Sequence, residues 1–360
     1  MKPKILDLYI AKKFIVTVVY MMVITTVISI IFDISEKMGD FLNKHIPMHV
    51  IVFDYYINFV PNIINLLSPI IIFLSALYFT SRLANNTEIL SILSSGISYY
   101  RILRPYVVVA ILLALVDLGM KNYIIPHSYA KQVDFETDYI DSKYNDPDHN
   151  IHRQMDKNSF FYAESVDYAS NKAFQFTVER FNNGGLVYKL RGDEAIFNKK
   201  TGEWNVMRYY ARTINGLHET ITSGDSMKIK IPITMEEFSH KLKSMPSMTT
   251  PELNSFIESE KARGEENVSF YLIEKFKRFS MPLDIIVLVL IAVSLATRKV
   301  RGGLGMHLLW GILIALSQVM FVRFSTTFAT NSDFPPQLAV FLPTLVYGFV
   351  AFLLVRTTPK

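Results

Sequence analysis

Six long apolar segments, three on each side of a polar insert, constrain this chain more than any other feature. Each is long enough to cross the hydrocarbon core of a bilayer, about 30 Å, which takes roughly 20 helical residues. They are residues 14–32, 57–80, 105–125, 281–296, 304–324 and 338–355. The pattern predicts a membrane α-helical protein with six transmembrane helices and one inserted extracytoplasmic domain.

Composition supports this class. Half of the 360 residues are hydrophobic and 19% are charged, whereas an average soluble domain carries about a quarter charged residues. The chain has no cysteine, which excludes disulfides and thiolate metal sites. Its net charge of +5 does not indicate nucleic-acid binding, because the basic residues cluster beside the spans, where topology explains them. We expect no cofactor, no metal and no nucleic-acid partner.

The distribution of basic residues predicts the orientation in the membrane. One set of span ends carries Lys2, Lys4, Lys12, Lys13, Arg82, Arg101, Arg104, Arg298, Lys299, Arg301, Arg356 and Lys360. The opposite short connections carry Lys37, Lys44 and Arg323. The positive-inside rule then places both termini in the cytoplasm and the insert outside it.

The insert reads as successive β-strands. The predicted strands are residues 159–166, 173–181, 186–197, 204–214 and 218–222. Turn sequences separate them, and Asn215-Gly216 is a strong hairpin signal. Short strands at this spacing predict an all-β, jelly-roll-like antiparallel domain. Most of its aromatic residues would fill a small core, although some could line a groove for an apolar ligand.

A short helix is predicted between the second and third spans. Thr87 can cap its start and Gly96 can end it. Its apolar positions are Ile89, Leu90, Ile92 and Leu93. Glu88 in the first turn has two interpretations. It could simply stabilise the helix N-terminus, or it could belong to a segment that a permease offers to a partner ATPase.

Several charges lie within or beside the spans, where such groups usually face a bundle interior or a cavity. We expect Asp117 to pair with Lys121, one turn away. Arg323 could either meet a lipid phosphate or extend towards the interface. Three basic residues precede the fourth span, and they are Lys275, Lys277 and Arg278. We expect them to anchor the span by extending to the interface; contact with anionic headgroups is the alternative.

The chain resembles the LptF/LptG family of lipopolysaccharide-export permeases, and is more similar to LptG. The opening ILDLYIAKKF (5–14) resembles the family's N-terminal interfacial helix, and TEILSILSSGIS (87–98) its coupling helix, including Glu88. The stretch 253–282 resembles the helix that enters the fourth span. Pro335-Pro336 before the last span and Pro343 within it also agree with the family.

The resemblance implies a specific assembly. Family members form a heterodimer of LptF and LptG on a dimeric cytoplasmic ATPase, LptB, and LptC joins through one transmembrane helix. Their cavity takes lipopolysaccharide from the outer leaflet of the bacterial inner membrane. Their periplasmic jelly rolls align with LptC and the bridge protein LptA by β-augmentation. The implied domains are residues 1–125, with the coupling helix near 87–96, then the periplasmic domain 126–265 and the spans of 266–360.

The residues agree with a transport subunit that uses another protein's ATPase. The sequence G-x-x-x-x-G-K-[ST] is absent, so this chain has no P-loop for ATP. The family has lysines after its first span that contact the ligand, which makes Lys37 and Lys44 candidates for lipopolysaccharide binding together with Arg323. This stretch is less basic here than in the family, because Asp33, Glu36 and Asp40 are mixed with the lysines.

Other functions remain as alternatives. A permease for another amphiphile, such as a lipoprotein, would also couple to a partner ATPase and would differ in its cargo. A purely structural scaffold is a further alternative, but it would need no coupling helix. A membrane enzyme acting on lipids would need acid, base or metal-ligand side chains grouped on its outer face. The one cluster of interest for an enzyme lies in a predicted loop and contains Asp146, Asp148, His149 and His152.

Overall fold

The chain divides into a helical unit and a unit dominated by a β-sheet. The helical unit comprises Met1–Val133, Pro246–Leu253 and Ser269–Lys360, and the other comprises Asp134–Met245 and Asn254–Val268. The structure is a computed structural model. It describes residues 4–140, 148–167, 170–182, 184–198, 201–216, 218–231, 245–262, 268–298, 303–332 and 334–358.

Six of the helices in the described residues are long and apolar enough to cross a membrane. The helices in chain order are α1 (Ile5–Asn43), α2 (Met48–Asn85), α3 (Glu88–Ser94), α4 (Tyr99–Ile140), α5 (Thr250–Ala262), α6 (Val268–Ala296), α7 (Gly303–Asn331) and α8 (Pro336–Thr357). The six predicted spans are confirmed as α1, α2, α4, α6, α7 and α8. Each helix extends beyond its predicted apolar core, because helical backbone continues into the polar flanks.

Two of the long helices contain π-helical turns. The π-helical turn of α2 is Ile51–Tyr56, and the two turns of α4 are Met120–Ile124 and Glu136–Ile140. Such turns interrupt the regular hydrogen-bond ladder and are frequent at functional sites. The turn at Met120–Ile124 includes Lys121, which lines the cavity described below.

The helical bundle is held together by a core of apolar side chains from α3 and all six long helices. Phe14 of α1 packs against Tyr106 of α4, with ring centroids 5.3 Å apart. Gly311 of α7 allows a close approach to α2, since a Cβ at this position would lie 2.2 Å from Leu77 Cδ2. Dispersion and small residues, rather than the hydrophobic effect, drive such packing between helices in lipid.

The second unit contains an antiparallel sheet of six described strands, each paired with its sequence neighbours. They are β1 (Asp148–Asp156), β2 (Ser159–Asp167), β3 (Lys172–Asn182), β4 (Gly185–Asn198), β5 (Glu203–Asn215) and β6 (His218–Ile229). The prediction of an inserted antiparallel all-β domain is confirmed. Strand β6 is longer than predicted. The loop interpretation of residues 148–152 is wrong, because they belong to β1 and pair with β2.

Large aromatic side chains fill the core of the sheet, as expected for most of them. Trp204 is fully buried, and its ring contacts those of Phe161, Phe176 and Phe197, with centroids 5.1 to 6.2 Å apart. Contacts of this kind add to the free energy of area burial. In contrast, Phe174 and Tyr210 remain exposed.

Candidate functional site

A cavity of about 550 Å³ lies between α2, α4, α6 and α7. Its apolar wall includes Leu66 and Ile70 from α2 and Val319 and Val322 from α7. Polar groups are concentrated in the rest of the lining. Mostly apolar cavities with a few convergent polar groups are the usual form of small-molecule sites.

Four basic side chains from three helices line this cavity. They are Lys121 of α4, Lys277 and Arg278 of α6, and Arg323 of α7. Two acidic residues, Glu274 and Asp284, accompany them. The cavity therefore combines an apolar wall with an excess of positive charge, which suits a molecule that has both acyl chains and anionic groups. Of these residues, Arg323 is a predicted lipopolysaccharide-binding residue, and for Lys277 and Arg278 contact with anionic headgroups is the alternative interpretation.

Lys121 is held by the carboxylate of Asp117, to which its ammonium donates a hydrogen bond. The other carboxylate oxygen accepts hydrogen bonds from Ser68 Oγ at 2.7 Å and from Asn65 Nδ2 at 3.2 Å. The predicted pairing of Asp117 with Lys121 is confirmed. Because Asp117 is fully engaged in the bundle, its negative charge is compensated close to the cavity.

A second buried carboxylate, Asp284 of α6, is satisfied by hydroxyl and amide donors. Thr344 of α8 donates to Asp284 Oδ1 at 2.6 Å, and Gln318 of α7 also donates to this carboxylate. Lys121 lies within electrostatic range of Asp284. Buried charges are stable when they are paired and hydrogen-bonded in this way. These contacts connect α4, α6, α7 and α8 beside the cavity.

Arg278 is buried and does not extend to an interface, so the anchoring role expected for it is wrong. Its guanidinium donates to Thr250 Oγ1 at 3.0 Å and to the Met248 carbonyl oxygen at 2.8 Å. Thr250 in turn donates to the side-chain oxygen of Asn122. An arginine can supply five donors in a planar fork, and here they fix the polypeptide around the start of α5 to the helical bundle.

Lys277 and Arg323 differ from the other two cations. Within the described ranges neither forms an ion pair within 4 Å. They are close enough to influence each other electrostatically. The carboxylate of Glu274 also acts on Lys277, from beyond ion-pair distance. Two neighbouring positive charges without a carboxylate within 4 Å favour binding of an anion between them.

The two predicted lysines after the first span lie at the end of α1 and not among the residues that line the cavity. Lys37 Nζ is 3.1 Å from Asp33 Oδ1 and also donates to the hydroxyl of Tyr55. Lys44 follows the last residue of α1 and is exposed. The structure thus places Lys37 in an internal network and leaves Lys44 accessible.

The predicted coupling helix forms as α3. Some of its apolar side chains pack against the bundle, and one is exposed. Ile89 is 2% exposed and belongs to the bundle core, against which Ile92 and Leu93 also pack. Leu90, in contrast, is 60% exposed. Glu88 accepts a hydrogen bond from the hydroxyl of Tyr9, with 3.2 Å between the oxygens. Leu90 is therefore the apolar side chain of α3 that is available to another protein.

The start of α3 differs from the predicted cap. Thr87 has a left-handed backbone with φ of 62°, and its hydroxyl donates to the Asn86 carbonyl oxygen instead of capping the helix. At the other end, Gly96 has φ of +81° and follows the last turn. Glycine adopts this conformation without strain, so its predicted role in ending the helix is confirmed.

The fold and the cavity define a class: a multi-pass membrane transport subunit with an inserted β-domain. A family model described as lipopolysaccharide export system permease LptF/LptG matches residues 8–357. The chain belongs to this family, whose members are transport subunits and not enzymes, and it is a multi-pass inner-membrane protein. The match includes both the LptF and the LptG branches. A comparison with curated proteins gave no match.

Proposed function

We propose that this chain is the transmembrane permease subunit of an ABC-type exporter that extracts lipopolysaccharide from the inner membrane and passes it to a periplasmic bridge. The cavity is the observation that carries this proposal. Its apolar wall suits acyl chains and its cations suit phosphates, so one amphiphilic molecule would satisfy both surfaces. Membership of the LptF/LptG family supports the same cargo.

The phosphates of the lipid would bind at Lys277 and Arg323. These cations have no ion-pair partner in the described ranges, and an arginine guanidinium can bind phosphate through two parallel hydrogen bonds. Lys44 and Lys37 would provide a second set of contacts from the end of α1. Lys37 would then have to exchange Asp33 for a phosphate, whereas Lys44 is already accessible.

ATP hydrolysis would come from a separate protein. The chain lacks a P-loop sequence, and α3 offers an exposed Leu90 beside Glu88 as a docking surface for an LptB-like ATPase dimer. Ile89, Ile92 and Leu93 would hold that surface on the bundle. The remaining partners would be a second six-span subunit of the LptF branch, an LptC-like single-span protein and an LptA-like bridge. This chain would then be the LptG subunit.

The orientation follows from the basic flanks of the spans. The positive-inside rule favours cytoplasmic termini, a cytoplasmic α3 and a periplasmic β-domain. With this orientation the cavity lies in the periplasmic half of the bundle, because its lining residues are in the first part of α2 and the last part of α4. A cavity at that level would receive lipid from the outer leaflet.

The proposal is tested by purifying the tagged chain from membranes and identifying the bound proteins and lipids by mass spectrometry. We expect a P-loop ATPase, an LptF-like six-span protein and lipopolysaccharide. Recovery of a lipoprotein as the cargo would replace lipopolysaccharide with another amphiphile. Recovery of the chain with ordinary phospholipid and no ATPase would overturn the proposed function.

A further inference from the structure

The first turns of α1 are connected to both α3 and the start of α4. The Tyr9 hydroxyl donates to Glu88 Oε2 at 3.2 Å. Two residues earlier, Asp7 Oδ2 lies 2.6 Å from Arg101 Nη2 and 2.9 Å from the backbone nitrogen of Lys4. Polar contacts thus join three segments that are separated in sequence.

Apolar packing supports the same connection. Ile10 and Phe14 on α1 are fully buried and share one cluster with Ile89 of α3 and Ile102 of α4. Tyr9 lies beside this packed surface but keeps its ring partly exposed. Its hydroxyl therefore adds directional contact to a region whose fold the apolar side chains already determine. Loss of the hydroxyl alone should leave the fold intact.

α1 is a single helix from Ile5 to Asn43 without an internal proline. At 1.5 Å per residue, Tyr9 and Asp33 lie about 36 Å apart along its axis. Near the far end, Asp33 accepts hydrogen bonds from Tyr55 at 2.9 Å and from Tyr56 at 3.0 Å, both in α2. One continuous helix thus has a polar connection to α3 at one end and to α2 at the other.

We propose that Tyr9 is a positioning residue that connects Glu88 of α3 to α1, so that a displacement of α3 is transmitted along α1 to the contacts of Asp33. This inference rests on the proposed function, because the displacement would be caused by the partner ATPase. A protein that engages Glu88 would change its hydrogen bond with Tyr9. Rigid α1 would then move against Tyr55 and Tyr56, beside the candidate lipid contact Lys37.

The test compares Tyr9→Phe with Tyr20→Phe. Both changes remove one hydroxyl from α1, but no hydrogen bond of the Tyr20 hydroxyl is found in the described part of the chain, which makes it the matched control. The complete complex, isolated with its ATPase and second permease, is reconstituted in proteoliposomes that contain lipopolysaccharide. The measured quantity is lipopolysaccharide released per ATP hydrolysed. For Tyr9→Phe we expect a roughly two- to tenfold decrease, which corresponds to the usual net contribution of one hydrogen bond.

A second measurement does not depend on transport. The chain has no cysteine, so Lys12→Cys and Ser94→Cys supply a single pair of spin-label sites on α1 and α3. We expect Tyr9→Phe to broaden the measured distance distribution, and Glu88→Ala to broaden it in the same way by removing the acceptor. Tyr20→Phe should leave both the distance and the release ratio at their wild-type values.

The inference requires both effects. A Tyr9→Phe variant that matches Tyr20→Phe in either measurement overturns it. A wild-type complex that hydrolyses ATP but releases no lipopolysaccharide would overturn the proposed function itself, and the failure would then appear before any variant is compared.

Discussion

Ser68 of α2 donates a hydrogen bond of 2.7 Å to Asp117 of α4. The second oxygen of this carboxylate is bonded to Lys121, so one buried group connects a neutral donor on one helix with a cation on another. Both charged side chains are almost completely buried. Removal of one partner from a buried charge pair of this kind is strongly destabilising, because the other charge is left buried without compensation.

The first prediction concerns this pair. Asp117→Asn keeps an oxygen for Ser68 but removes the charge opposite Lys121. We expect a loss of about 3 kcal/mol of unfolding free energy, the cost of leaving a buried charge without its partner. Asp284 also acts on Lys121, which keeps the cost at the lower end of the known range. Thermal unfolding of the purified protein in detergent provides the measurement.

The matched control is the double variant Asp117→Asn with Lys121→Met. Removing the cation together with its partner should restore most of the lost stability, because replacement of a buried pair by apolar groups is often neutral. If the double variant is less stable than Asp117→Asn alone, Lys121 has a more important partner than Asp117.

The second prediction concerns the cations of the cavity. Arg323→Gln and Lys277→Gln should each weaken binding of lipopolysaccharide about tenfold, since each removes a charge-assisted hydrogen bond to phosphate. Arg356→Gln is the control, because Arg356 lies near the end of α8, over the ring of Phe352, and does not line the cavity. Affinity is measured on the purified complex with lipopolysaccharide and with the same lipid after enzymatic dephosphorylation.

Wild-type protein should prefer the phosphorylated lipid, and Arg323→Gln with Lys277→Gln together should abolish that preference. Equal binding of the two lipids by the wild type would show that the cavity does not bind phosphate.

The third prediction separates two neighbouring residues of α3. Leu90→Ser should change stability by less than about 0.5 kcal/mol, as exposed substitutions usually do, but should reduce co-purification of the ATPase. Ile89→Ala should cost about 2–5 kcal/mol because it creates a cavity in the bundle core. Thermal unfolding and recovery of the ATPase are measured in parallel. Full ATPase recovery with Leu90→Ser would exclude the exposed surface of α3 as its docking site.

The spans and most strands could be predicted from the sequence because their signals are local. The length of an apolar segment identifies a membrane helix. A run of alternating apolar and polar residues, bounded by turn residues, identifies a strand. The i+4 spacing of Asp117 and Lys121 was also sufficient to predict their ion pair. In contrast, β1 was missed because its sequence, DHNIHRQMD, is polar, and its conformation depends on pairing with β2.

The cavity could not be predicted, because it depends on how helices rotate against each other. Lys277 and Arg278 are adjacent in sequence and have the same apparent role at a membrane boundary, yet only Arg278 is enclosed by polar partners. Gln318 and Asp284 meet across two helices that are both apolar on most faces. The sequence contains a weak indication of the cavity lining, because polar residues within apolar spans usually face the bundle interior. Likewise, threonine is a favourable residue for a helix N-cap, but Thr87 has a left-handed backbone and its side chain does not cap α3.

The fourth prediction concerns the β-domain. A Cβ at Gly192 of β4 would lie 2.2 Å from Val206 Cγ1 and 3.2 Å from the Met207 carbonyl oxygen. Val206 is buried in the core of the sheet and cannot move away freely. Gly192→Ala should therefore destabilise the domain by about 1–3 kcal/mol, the usual cost of overpacking. Gly185→Ala in the same strand is the control, because its nearest contact would be 3.6 Å away. Hydrogen–deuterium exchange of the full-length protein in detergent should show faster exchange in β4 and β5 for Gly192→Ala only. Equal exchange in the two variants would mean that β4 and β5 separate easily at this point.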